Sequence, residues 1–279
     1  MKQLMMTLFA FALMSGMALA QNNVANTTQD GENLEATIMQ VGGSDNLATQ
    51  LQYGLNNILG IDQSGSDNVA NQTQDSRETG AYDPDNRAYV NQSGDWNLAT
   101  QYQSSGSQRN YLNIDQSGDD NEASQTQLGQ AFSGIIDQSG DENWASQLQE
   151  GNSDEAVIDQ SGSLNWAFQH QDGKRNRADI DQSGDNNTAT QEQFGSQDHP
   201  LYGVLSVFQE GDGNSAYQLQ EDEETGSYAI TTQYGSLNTA VQQQFGPGSN
   251  WASITQDSDS NMASQVQTGS DNVATIVQD

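Results

Sequence analysis

The sequence predicts an all-β chain folded as a two-sheet β-solenoid of about eleven strand-arc-strand rungs, and three observations carry that prediction. A glutamine recurs with a period of eleven residues: twenty-two such anchors run from Gln29 to Gln278, and fifteen of the twenty-one intervals between them are eleven residues long. Its neighbours recur with it, in the unit Q-x-G-x-x-N-x-A-x-x-x-Q, and a repeat this dense identifies an architecture in which each unit stacks on the next. The recurring residues also share one parity. In Asn176-Ala178-Ile180-Gln182 every second side chain belongs to the motif, while Arg177, Asp179 and Asp181 fall between. Strands alternate their faces with period two, so the motif side chains are expected inside and the variable ones outside.

In chain order, Met1 to Ala20 reads as a secretory signal peptide. Lys2 supplies the positive start, Leu4 to Leu13 an apolar run, and Ala18-Leu19-Ala20 a small-residue cleavage site. The expected organisation is therefore a leader over 1–20 and a repeat solenoid over 21–279, delivered outside the cytoplasm. The chain has no cysteine, so no disulfide contributes and stability must come from the repeat. The apolar run is too short to span a bilayer, and no other stretch is apolar enough.

Two kinds of unit alternate. One ends like Ile61-Asp62-Gln63, Ile114-Asp115-Gln116, Ile158-Asp159-Gln160 and Ile180-Asp181-Gln182, with Asn, Ala, Ile or Val, and Gln inside. The other ends like Asn121-Glu122-Ala123-Ser124-Gln125-Thr126-Gln127, with a second inward glutamine at positions such as 50, 72, 101, 125, 147, 169 and 191. One sheet should thus carry aliphatics and the other small and amide side chains, closing over a thin, polar core. Identical amides stacked at about 4.8 Å can hydrogen-bond along the stack as ladders. The expected self-assembly ladder comprises Gln63, Asn68, Gln74, Gln92, Asn97, Gln103, Gln116, Asn121, Gln127, Gln138, Asn143, Gln149, Gln160, Asn165, Gln171, Gln182, Asn187, Gln193, Gln267, Asn272 and Gln278. Gly65, Gly94, Gly118, Gly140, Gly162 and Gly184 lie at a fixed offset after the anchor, where the chain must reverse and a left-handed backbone suits glycine.

Departures from the period cluster. Five of the six irregular intervals follow the Gln-x-Gln strand type, so one edge is expected to be tight and the other to carry loops such as Thr79 to Arg87 and Gly195 to Gly203. The chain opens with a strand motif at Asn23 and closes with Asn272 to Gln278, without an evident polar cap. Bare sheet edges of this kind invite another copy to continue the stack, head to tail.

Composition narrows the function classes. Seven Lys and Arg stand against 38 Asp and Glu, for a net charge of −31. Nucleic-acid phosphates and anionic membranes require the opposite balance, so neither partner is expected. The two histidines, His170 and His199, have no partners at metal-ligand or nucleophile spacing, and the acids follow the repeat rather than a catalytic pair. No enzyme activity, cofactor or metal is expected.

The outward positions carry two further patterns. Asp115, Asp137, Asp159 and Asp181 share one outward position on successive rungs, where neighbouring charges repel by about 1 kcal/mol in water. They read as a solvated gatekeeper column, with a divalent-cation ladder as the alternative. On the Gln-x-Gln sheet, Trp144 and Leu148, then Trp166 and Phe168, lie on consecutive rungs, with Leu98 and Tyr102 two rungs earlier. These could pair fibres laterally, stack on sugar rings, or simply stack along the fibre.

The unit resembles the curlin repeat, the building block of the curli amyloid fibres of bacterial biofilms. Full matches include Gln116, Gly118, Asn121, Ala123 and Gln127, and likewise Gln182, Gly184, Asn187, Ala189 and Gln193. The resemblance implies a secreted subunit that crosses the outer membrane through a dedicated channel, polymerises on a nucleator and serves adhesion to host or abiotic surfaces. It equally admits the minor nucleator itself, and a monomeric solenoid adhesin or ligand-binding module is the alternative outside that scheme. The chain departs from the family in having eleven expected rungs rather than a handful. Asn23-Val24-Ala25 already fits the motif where the family often has a non-repeat address. Phe132 and Gly134, Gly203 and Leu205, and Ser258 replace Asn and Ala, Asn and Ala, and the arc glycine, respectively.

Overall fold

A computed structural model describes residues 22–76, 85–104, 109–195, 203–222 and 226–279. The expected leader, His199 and most of the two insertions Thr79–Arg87 and Gly195–Gly203 lie outside those residues. Twenty-two strands alternate between two sheets of eleven. The odd strands form the first: β1 Val24–Glu32, β3 Leu47–Leu55, β5 Val69–Asp75, β7 Leu98–Gln103, β9 Glu122–Gln130, β11 Trp144–Asn152, β13 Trp166–Lys174, β15 Thr188–Gly195, β17 Ser215–Asp222, β19 Thr239–Phe245 and β21 Met262–Thr268. The even strands form the second: β2 Glu35–Val41, β4 Asn57–Ser64, β6 Asn86–Ser93, β8 Tyr111–Ser117, β10 Ser133–Ser139, β12 Glu155–Ser161, β14 Arg177–Ser183, β16 Val204–Glu210, β18 Tyr228–Tyr234, β20 Trp251–Gln256 and β22 Val273–Gln278.

Every pairing is parallel. Parallel neighbours need a long crossover, and here the strand of the opposite sheet supplies it, so no helix is required. Pairing is in register with the repeat: Ile114 lies beside Ile136, Ile158 and Ile180 in turn, and Gln125 beside Gln147, Gln169 and Gln191. Insertions leave the register intact, since Gln63 still pairs with Gln92, Gln74 with Gln103, and Gln182 with Gln209. A slip of one residue would turn the whole motif set to solvent, and that penalty fixes the register.

The core is a thin seam between the sheets. Ile61, Val90, Ile114, Ile136, Ile158, Ile180 and Val207 of the even strands pack on Ala48, Ala70, Ala99, Ala123, Ala145, Ala167, Ala189 and Ala216 of the odd ones. Burying each Ile stabilises by about 1.5–3 kcal/mol, so stability accumulates rung by rung. The degenerate rungs keep this packing. Leu205 takes an alanine position and is fully buried. Gly134 sits beside Leu112 in the neighbouring strand, and a Cβ on it would lie 2.9 Å from the Leu112 side chain. The missing methyl of one rung therefore accommodates the larger side chain of the rung before it.

Candidate self-assembly surface

Three columns of glutamine amides run along the stack. The first joins Gln40, Gln63, Gln92, Gln116, Gln138, Gln160, Gln182, Gln209, Gln233, Gln256 and Gln278 by Nε2-to-Oε1 bonds of 2.8–2.9 Å. The second runs from Gln29 through Gln52, Gln74, Gln103, Gln127, Gln149, Gln171, Gln193, Gln220 and Gln244 to Gln267. The third links the inner glutamines Gln50 to Gln265. The spare proton of many of these amides goes to a backbone carbonyl of the facing sheet, as from Gln147 to Ile135 and from Gln160 to Trp144. Buried amides left unpaired would be destabilising, and here both ends of each interior amide are used.

All these bonds point one way. Each glutamine donates to the rung nearer the C-terminus and accepts from the rung nearer the N-terminus. At the last described rung the Gln265 Nε2 is buried without a partner. Those of Gln267 and Gln278 reach only backbone carbonyls, of Trp251 and Met262. At the first rung Gln29 and Gln40 donate through Nε2 to Gln52 and Gln63, and among the described residues no strand lies beyond β1 and β2.

The asparagines tie the arcs together. At the tight edge, the backbone N–H groups of Asn68, Asn97, Asn121, Asn143, Asn165 and Asn187 each donate to the Oδ1 of the preceding column residue at 2.9–3.0 Å. Their Nδ2 groups donate onward to Gly94, Gly118, Gly140, Gly162, Gly184 and Gly211 carbonyls at 2.7–2.8 Å. Asn272 belongs to the opposite edge, where its N–H donates to Asn250 Oδ1 at 3.1 Å. Gly65, Gly94, Gly118, Gly140, Gly162 and Gly184 have φ of +97° to +105°. Glycine is needed there twice over, since a Cβ on Gly118 would sit 2.2 Å from the Gly140 carbonyl oxygen.

Two arc positions escaped the sequence reading. Three residues after the anchor stands Asp or Ser, and its side chain accepts a backbone N–H from the preceding rung: Asp95 from Ser66, Asp119 from Asp95, Asp141 from Asp119 and Asp185 from Ser163, at 2.7–3.0 Å. Four residues after the anchor the backbone is left-handed again whatever the residue, including Trp96, Leu164 and Leu237 at φ +60° to +64°. The first was signalled by a constant Asp/Ser offset; the second has no compositional mark.

The curlin associated repeat matches residues 133–162, 151–184 and 173–197. Residues 133–197 carry curlin repeats. No curated protein matches it. Repeat and fold together point to a structural protein.

The outward face of the even strands is where the aspartates stand. Asp115, Asp137, Asp159 and Asp181 are successive neighbours in β8, β10, β12 and β14. Partial burial pushes the Asp137, Asp159 and Asp181 carboxyls above the ordinary range; neighbouring carboxylates add to this at Asp137, from Asp159 and Asp115, and at Asp181, from Asp159 and Asp179. Among the described residues no group of three or more acids and histidines is arranged to hold a metal ion.

On the other face the Trp144 and Trp166 rings stack with centroids 4.8 Å apart and planes within 5°. Their faces are turned toward each other along the stack, and Phe168 lies against Trp166 at 6.2 Å. This geometry favours stacking along the solenoid over presentation of ring faces to sugars. His170 lies outward, its Nε2 3.1 Å from Glu150 Oε2 and its ring edge-on to Phe194.

Proposed function

We propose that the chain is the structural subunit of an extracellular, curli-like amyloid fibre, growing by templated stacking of rungs. The observation that carries this reading is the uniform direction of the amide columns. An open first rung presents acceptors and the last presents donors, so a second copy set head to tail would continue every column: Gln267 onto Gln29, Gln278 onto Gln40, and Gln265 onto the Thr27 hydroxyl. A reversed copy would set acceptor against acceptor. In this proposal residues 1–20 are a signal peptide and 21–279 the secreted subunit. A curli-type nucleator and outer-membrane channel are its partners in export and initiation, and adhesion within a biofilm matrix is its role. The glutamine and asparagine columns are its assembly machinery, the arc glycines let rungs approach, and the aspartate column restrains premature stacking.

Fibre X-ray diffraction on residues 21–279, incubated from denaturant at neutral pH, tests this. Reflections near ~4.7 and ~10 Å, from fibres that seed fresh protein, are expected. A folded protein that stays monomeric and never seeds would overturn the fibre reading in favour of an adhesin. Deleting residues 272–279 should slow elongation from wild-type seeds, whereas unchanged elongation would remove this end from the docking surface.

A further inference from the structure

The asparagine column at the loop-bearing edge contains one carboxyl. Asp154, between β11 and β12, stands where its neighbours in the stack are Phe132 and Asn176, and it is 1 % exposed. Its Oδ1 does what an asparagine Oδ1 does, accepting the Asn176 backbone N–H at 2.7 Å. Its Oδ2 is buried with no partner.

The asparagines of this column show what the second atom should do. Asn110 Nδ2 donates to the Gly129 carbonyl, and Asn250 Nδ2 to the Gly269 carbonyl, at 3.1 and 3.0 Å. Both acceptors lie in the arc of the following rung. For Asp154 the corresponding carbonyl is that of Gly173, which pairs with Gly151 as Gly151 pairs with Gly129. An ionised carboxylate at this place sets an acceptor against an acceptor, in a site closed to water. A neutral carboxyl with its proton on Oδ2 restores the donor that asparagine supplies.

We propose that Asp154 is a built-in proton sensor of the solenoid: its rung closes only when the carboxyl carries a proton, so that folding of this stretch takes up one proton from neutral solution. The charged residues that flank it along the chain are Glu150 and Glu155 in its own rung, and those at the matching stretch of the next rung are Asp172, Lys174, Arg175 and Arg177, of which Asp172 acts on it; the preceding arc from Gln127 to Ser133 has none. Burial is the main force holding the proton, and the Asp172 carboxylate adds to it, against the opposing Asn176 N–H; together they push the Asp154 carboxyl up to about 8. The sign follows from linkage. A carboxyl whose folded value lies above its unfolded one stabilises the fold fully below the unfolded value near 3.8, and that stabilisation is lost as pH rises toward about 8. The loss is about tenfold in the folding equilibrium per pH unit across that window. The neighbouring Asn176 Nδ2 is also buried without a partner, so two adjacent rungs of this column are the least satisfied part of it and the place where one proton matters most.

The test compares the full-length mature chain with Asp154→Asn, which places the column's own residue at the site. Urea midpoints of the β-sheet signal are measured from pH 5 to pH 9, with infrared spectra of both proteins at pH 7. The variant's advantage in folding equilibrium over the parent should grow by about tenfold per pH unit between pH 5 and pH 8. The infrared difference should show a protonated carboxyl band in the parent that the variant lacks. Parallel pH profiles for the two proteins, or the absence of that band in the parent, would overturn the proposal. The spectrum of the parent decides the matter even where the variant folds poorly.

Discussion

Each rung turns through a residue that pays a conformational penalty, and the chain does not always place the best residue there. Four positions after the anchor, Asn186, Asp67 and Asp120 hold left-handed backbone at φ +58° to +59°, and short polar side chains tolerate this. Leu164 holds the same conformation at φ +60° and is 49 % exposed, so it gains little packing in return. Left-handed backbone costs an ordinary L-residue roughly 1–2 kcal/mol. Leu164→Asn is therefore expected to stabilise the chain by about 0.5–1 kcal/mol, read as a higher urea midpoint at unchanged cooperativity. An unchanged or lower midpoint would mean that the leucine side chain contributes packing on the arc surface that offsets its backbone.

Within an element, the amide columns make an interior strand unlike a terminal one. Gln160 in β12 accepts from Gln138 and donates to Gln182, and all three are fully buried. Gln160→Leu leaves a donor and an acceptor unpaired in a closed seam, at about 1–3 kcal/mol each. Gln278→Leu deprives Gln256 of an acceptor and the Met262 carbonyl of a donor, both at a rung open to water, and should cost less than about 1 kcal/mol. Denaturant unfolding of the two variants checks the contrast, and equal losses would show that the column has no energetic role beyond filling space. Much of this element scale was legible in the sequence. The eleven-residue period and the parity of Asn176, Ala178, Ile180 and Gln182 assign strands, faces and sheets without any propensity argument. The direction of the amides was not legible, because Gln carries donor and acceptor alike and only the stack chooses between them. The role of Asp154 was hidden for the opposite reason: it occupies an asparagine offset in a chain full of outward acids, and only its burial distinguishes it. The ring orientation of Trp144 and Trp166 likewise depends on the spacing between rungs, which sequence order does not show.

For the whole molecule, a charge of −31 is distributed along a parallel stack, so repulsion grows with every rung added. The aspartate column concentrates it. Asp137, Asp159 and Asp181 have folded-state values raised above 3.8, first by burial and, at Asp137 and Asp181, further by their neighbours. The folded state therefore binds protons more tightly than the unfolded one. Its stability is complete below the unfolded value and falls as pH rises through the folded values. Assembly is expected to be faster at pH 5 than at pH 8, with a shorter lag in a fluorescence time course. Replacing Asp115, Asp137, Asp159 and Asp181 together by Asn should shorten the lag at pH 8 and flatten the dependence, leaving the part that belongs to Asp154 and to the raised Asp62 and Asp179. Salt should act more weakly than acid, because neighbouring column charges at about 4.8 Å lie inside the ~10 Å screening length at 0.1 M. Calcium separates the two readings of the column. A repelling column responds to Ca²⁺ no more than to sodium chloride at matched ionic strength, whereas a cation ladder shortens the lag well beyond that control and loses the effect in the four-fold variant. Equal lag times at pH 5, at pH 8 and with Ca²⁺ would remove any role of the aspartate column in governing assembly.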